Sequence, residues 1–142
     1  MADIIMSDMI LLSFISFIIY LNSLDCHFVF DDFSAIINNH DVISLDWSLS
    51  SLLLLFQHDY WGTTITSELS HKSYRPLTVL TFKLNHFING TNPFGYHLVN
   101  IILHTIVTCL FYVWCIRINF NKEASFIAGL LFATQPIHTE AV

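Results

Sequence analysis

The chain has 142 residues, of which 54% are hydrophobic and 11% charged, with a mean hydropathy of +0.61. Soluble domains carry about 25% charged residues, so this balance excludes an ordinary soluble domain and argues for an integral membrane protein. With 11 acidic against 5 basic residues the net charge is −6, which excludes nucleic acid as a partner.

The first apolar run predicts a membrane span at about 4–24. Asp3 and Asp8 stand where a signal peptide would carry Lys or Arg, and no small-x-small cleavage site follows, so the span is read as retained. Ser13, Ser16, Tyr20 and Ser23 fall on one face of it.

A loop over 25–95 comes next, too long to be structureless in a compact domain. It opens with Phe28-Val-Phe-Asp-Asp-Phe, which sets Asp31 and Asp32 just beyond the membrane exit. Adjacent carboxylates repel, which suits one of them to take up a proton as a general base. The competing reading is a solvated pair, or a cap for a helix through Phe33 to Asn38. Leu49 to Phe56 is apolar but too short to span, and Leu77, Leu80, Leu84, Phe87 and Ile88 follow Pro76 at near-helical spacing. Both segments suit amphipathic helices at a membrane interface. His58 to Gly62 reads as an aromatic interfacial turn. Arg75 is the natural phosphate partner, with a planar fork of donors, and Lys72 is a second cation in the same loop. An acidic pair at a membrane exit, with a basic segment in the same loop, fits chemistry on a lipid-linked phosphate. Asn89-Gly-Thr91 is an N-glycosylation sequon, usable only if the loop is luminal.

A second span is expected at about 96–116, with His97, Asn100, His104 and Thr108 on one face. A third is expected at about 124–142, where Ser125, Gly129 and Ala133 form a small-xxx-small row. Polar stripes in hydrocarbon should face other helices or a wet cavity. Arg117 and Lys122 lie in the turn between these spans, and the positive-inside rule puts that turn in the cytosol. The N-terminus is then cytosolic and the loop 25–95 luminal. His138 and Glu140 could line a cavity at the end of the third span, or simply cap it. The eight histidines form no H-E-x-x-H and no His/Cys cluster, so no metal site is expected. Cys26, Cys109 and Cys115 lack metal-ligand spacing and read as small apolar residues. No nucleotide-binding glycine loop is present, which favours a donor delivered by the membrane.

Several segments occur together in the order of a known family. They are Phe28-Val-Phe-Asp-Asp-Phe-Ser-Ala-Ile, Asn39-His-Asp-Val, His58-Asp-Tyr-Trp-Gly, Ser70-His-Lys-Ser-Tyr-Arg-Pro-Leu-Thr-Val-Leu-Thr-Phe, Gly95-Tyr-His-Leu-Val-Asn-Ile and Pro136-Ile-His-Thr-Glu-Ala-Val. The chain resembles the N-terminal part of the transmembrane and tetratricopeptide-repeat O-mannosyltransferases that act on cadherins.

The resemblance implies an all-α integral membrane fold, the N-terminal part of a C-type multi-span glycosyltransferase in the endoplasmic reticulum. It implies dolichyl-phosphate mannose as donor and a Ser or Thr hydroxyl of a luminal or secreted domain, such as a cadherin, as acceptor. Transfer would invert the anomeric carbon, with no metal or cofactor. Asp31 would be the base, with Asp32 orienting it or the acceptor. Arg75 would hold the leaving phosphate, and His138 and Glu140 would complete the cavity. Gln135 stands where the family usually has His. Residues 1–142 would then be an incomplete portion of the membrane module, without the tetratricopeptide repeats. The alternatives are a non-catalytic membrane adaptor or an inactive truncated product.

Overall fold

The computed structural model describes the backbone of residues 2–140 and the side chains of residues 5–138. Its regular elements are helical: α1 (Ala2–Ile19), α2 (His40–Ile43), α3 (Leu49–Leu55), α4 (Pro76–Asn89), α5 (Pro93–Arg117) and α6 (Lys122–Thr134). Short turns at Leu21–Asp25, Phe33–Ile37 and Pro136–Glu140 join them. The described residues divide into two compact units, residues 1–26 with 97–142 and residues 27–96.

In the first unit, Ile5–Asp25 and Pro93–Arg117 are long and apolar enough to cross a membrane. Only 17% and 28% of their apolar windows are buried, whereas a core helix of a soluble protein is mostly covered. The interior of this unit mixes polar with apolar residues, Leu12, Ile101 and Tyr112 being buried there. Ser16, Thr108 and Ser125 are fully buried, while Ile10, Phe14, Ile106, Leu110 and Leu131 are exposed. That is the arrangement of helices whose outer solvent is lipid. The two polar stripes meet each other: Ser16 Oγ lies 3.5 Å from Thr108 Oγ1, and Ser13 Oγ 3.0 Å from Cys109 Sγ.

The small-residue row also works as expected. Ser125, Gly129 and Ala133 are all buried. A Cβ on Gly129 would stand 3.0 Å from Leu12 Cδ1, so α6 approaches α1 as closely as a side chain permits. At the other end of this packing, Asp8 accepts a hydrogen bond from Tyr112 Oη at 2.7 Å and pairs with Lys122 Nζ at 3.2 Å. The third helix is 13 residues long, about 20 Å, where a span over 124–142 was expected. Pro136 has no amide hydrogen to continue the α-helix, and the backbone passes into the turn Pro136–Glu140.

The second unit is built around Ala35, Ile36, Val42, Leu55, Val79 and Tyr96, with Phe28, Tyr60, Trp61 and Phe82 packed against them. Helix α4 begins with Pro76 in its first turn and buries Val79, Lys83 and Asn85. Leu77, Leu84, Phe87 and Ile88, which carry its apolar periodicity, are exposed. Lys83 is 2% exposed, and its ammonium donates to the carbonyls of Asp41 at 3.1 Å and Ser44 at 2.6 Å. Burial lowers its pKa, against the opposing pull of Asp41 and Asp46. Asn39, fully buried, donates to Tyr60 O at 3.1 Å and accepts from Asp41 N at 3.0 Å.

Gly62 closes over Asn39. Its φ is +83°, and a Cβ there would stand 2.5 Å from Asn39 Oδ1. Gly62→Ala therefore combines left-handed backbone strain of about 1–2 kcal/mol with a packing clash of about 1–3 kcal/mol. A melt of the detergent-purified variant is expected several degrees below wild type; coincident melts would show that the turn is not held as described.

Candidate active site

The acidic pair lies in a strained turn. Phe28 anchors its start, edge-to-face with Tyr96 at 5.2 Å. Phe30 then adopts φ +44°, a left-handed conformation unusual for an aromatic residue, and is 92% exposed. Asp32 closes this turn. Its Oδ2 accepts the Val29 amide at 2.9 Å, while its own N–H donates to Val29 O at 3.0 Å.

Asp31 is placed differently. Its backbone carbonyl accepts from Ser34 N and Ala35 N, starting the turn Phe33–Ile37. Its side chain is exposed and makes no hydrogen bond among the described residues. The two neighbours thus separate into a tethered carboxylate and an available one. The helix cap that either might have formed is absent, since Asp32 makes no side-chain cap to that turn.

Asp31 opens on a cleft of about 550 Å³. Ser34 and Asn38 line it from the same turn, and Trp61, Thr63, Leu69 and His71 from the loop that follows α3. One buried carboxylate organises that loop. Asp59, 2% exposed, accepts Trp61 N and Thr63 N at 3.0 Å each and Ser70 Oγ at 2.6 Å. Burial pushes its pKa up, but the donors Ser70, Thr63, Trp61 and His71 outweigh that, and the net pKa is lowered.

Arg75 precedes α4, with its guanidinium 5.0 Å from the centre of the Tyr60 ring. Burial raises the Tyr60 pKa, Arg75 pulls it down, and Asp32 and Asp31 push it up. Both carboxylates and the arginine therefore act on one phenol. Lys72 folds back on its own loop at φ +59°, donating to Ile65 O and Ser67 O at 2.6 Å each. One of its three N–H donors is left for another ligand.

His138 belongs to the first unit, where it packs on Phe132 at 4.6 Å and His104 at 4.9 Å. The Glu140 side chain lies outside the described residues. Asn89 is exposed at the end of α4, with Nδ2 donating to Asn85 Oδ1 at 2.9 Å, and Gly90 follows at φ +60°. No group of three His, Cys, Asp or Glu is placed to hold a metal ion among the described residues. The three cysteines are free thiols, with Cys26 exposed rather than packed.

Asp59, Tyr60 and Trp61 sit deeper in the site than the sequence suggests. Asp59 followed by Trp61 and Thr63, with Gly62 between them, is the spacing of an Asx-type turn; that signal was available. The pairing of His58 Nδ1 with Asp41 at 2.8 Å carries no local signal, because 17 residues separate the partners.

Among the described residues the regular elements are helical, and two of the helices are long and apolar enough to cross a membrane, which is consistent with an all-α membrane protein. Among curated proteins the chain is 49% identical over 142 residues to Protein O-mannosyl-transferase TMTC3 of Mus musculus. It is 51% identical over 123 residues to TMTC3 of Homo sapiens, and 48% over 136 residues to human TMTC1. These matches cover 100%, 87% and 93% of the chain. The chain belongs to the TMTC protein O-mannosyl-transferase family. It spans about 15% of the length of the mouse TMTC3 relative, 13% of human TMTC3 and 15% of human TMTC1. No family model and no solved structure matches it.

Proposed function

We propose that this chain carries the acceptor-activating part of a protein O-mannosyltransferase. The observation that supports this best is the available Asp31 carboxylate on an open cleft, beside the tethered Asp32. Asp31 takes the proton of a Ser or Thr hydroxyl as its oxygen attacks the anomeric carbon of mannose. The bond from that carbon to phosphate breaks, and dolichyl phosphate leaves with its charge balanced by Arg75. Attack opposite the leaving group inverts the anomeric centre. Lys72 supplies its remaining donor to the same phosphate. Asp31 and Arg75 perform these steps without a metal or cofactor.

The proposed setting is the endoplasmic reticulum membrane, with the N-terminus cytosolic and the loop 25–95 luminal, within a C-type glycosyltransferase fold. The exposed apolar faces of α3 and α4 support helices lying at the luminal interface, with Leu49, Leu53, Leu84 and Phe87 toward acyl chains. The acceptors are luminal or secreted domains such as cadherins, and the complete protein carries tetratricopeptide repeats.

The topology has its own test. The sequon at Asn89 is exposed, so the loop should receive one glycan there. Endoglycosidase treatment is expected to sharpen the mobility of wild type by one step and to leave Asn89→Gln unchanged. A wild-type protein that never shifts would speak for a cytosolic loop.

A further inference from the structure

We propose that the cleft beside Asp31 receives the pyranose ring of the transferred sugar, with Trp61 as its stacking face and Asn38 and Thr63 as hydroxyl partners. This assignment rests on the transferase reading above and goes further, because it gives the cleft to the donor sugar rather than to the phosphate or the acceptor.

The lining decides among these ligands. No Lys or Arg lines the cleft, and Asp31 is its one formal charge with histidine neutral. A phosphate would meet a carboxylate there and no cation. An acceptor segment in extended form needs unpaired backbone groups to hold it. The amides of Trp61 and Thr63 are already held by Asp59 Oδ1, Gly62 N donates to Asp59 O at 3.1 Å, and Lys72 N donates to Ser70 Oγ. A strand laid in the cleft finds none of these donors available.

A pyranose fits what remains. Its hydroxyls can exchange hydrogen bonds with Ser34, Asn38 and Thr63, and its C–H face can lie on an aromatic plane. Trp61 is half-buried and held by T-shaped contacts with Tyr60 at 5.2 Å and His71 at 4.9 Å. The Asp59 clamp fixes the backbone on both sides of Gly62, so the platform is held before the ligand arrives. The volume of about 550 Å³ lies within the roughly 300–1,000 Å³ of small-molecule sites.

The test separates donor from acceptor kinetics in the complete protein, purified in detergent, with dolichyl-phosphate mannose and a folded cadherin domain. Trp61→Phe keeps an aromatic face of smaller area but gives up some packing on the core, so its melting temperature should fall by a few degrees with the fold kept, whereas Asn38→Ala removes an exposed amide and should keep the wild-type value. Each is expected to raise the donor KM three- to tenfold while the acceptor KM stays unchanged. Asp31→Asn should instead lower kcat without moving the donor KM in this way. A rise in acceptor KM alone, or no change in either KM, would overturn the sugar assignment and leave the transferase reading standing. A wild-type protein that transfers nothing would remove the transferase reading, and this one with it.

Discussion

Asp31→Asn is expected to reduce mannosyl transfer by about 10²–10⁴-fold, the usual contribution of a positioned general base. The amide keeps the size of the side chain but cannot accept the hydroxyl proton. Expression and melting temperature should stay at wild-type values, because the Asp31 side chain makes no hydrogen bond within the described structure. Asp32→Asn should behave differently. Its carboxylate holds Val29 N at 2.9 Å, a bond that the amide oxygen can still accept. A mild loss of rate with a small loss of stability is expected there. Equal, complete loss in both variants would mean that the pair works as a unit rather than as base and tether.

The second large effect lies at Asp59. Asp59→Ala leaves the Trp61 and Thr63 amides and the Ser70 hydroxyl without their acceptor in a buried position. Each such orphan costs about 1–3 kcal/mol, partly recovered where water can enter, so a loss of about 3 kcal/mol is expected. The same carboxylate makes stability depend on pH. Its pKa in the folded protein is lowered, so its contribution is complete above the unfolded value of about 3.9. That contribution is lost as pH falls through the lower folded value. Tryptophan fluorescence across an acid titration should show wild type unfolding steeply below about pH 4, and Asp59→Asn with a shallower dependence. Identical acid profiles would mean that other carboxylates control the transition.

Much of the membrane unit is legible from sequence because hydropathy and spacing are local signals. The long apolar runs give α1 and α5. The stripes Ser13, Ser16, Tyr20, Ser23 and His97, Asn100, His104, Thr108 are read as facing inward because polar groups in hydrocarbon need partners; Ser16, Tyr20, His104 and Thr108 are buried and the other four half-buried. The row Ser125, Gly129 and Ala133 is read correctly for the same reason.

The loop is only half legible. Pro76 marks the start of α4, yet its inward face carries Lys83 and Asn85, residues that composition assigns to the surface. The carbonyls of Asp41 and Ser44, about forty residues away, and the Trp47 ring at 5.3 Å make the burial of Lys83 tolerable, and no local pattern encodes them. The sequence likewise offers Asp31 and Asp32 as equals. What separates them is the left-handed turn at Phe30, which bends the chain so that Asp32 reaches back to Val29. A phenylalanine gives no warning of such a turn, whereas a glycine would have done so.

The most direct measurement is transfer itself. The complete protein, purified and supplied with dolichyl-phosphate mannose and a folded cadherin domain, is expected to add one hexose to a Ser or Thr, read by intact mass and site mapping. The Asp31→Asn protein, equally folded, should add almost none. Transfer at an undiminished rate by the Asp31→Asn protein would contradict the assignment of the base, and an unmodified acceptor with folded wild type and intact donor would contradict the transferase reading as a whole.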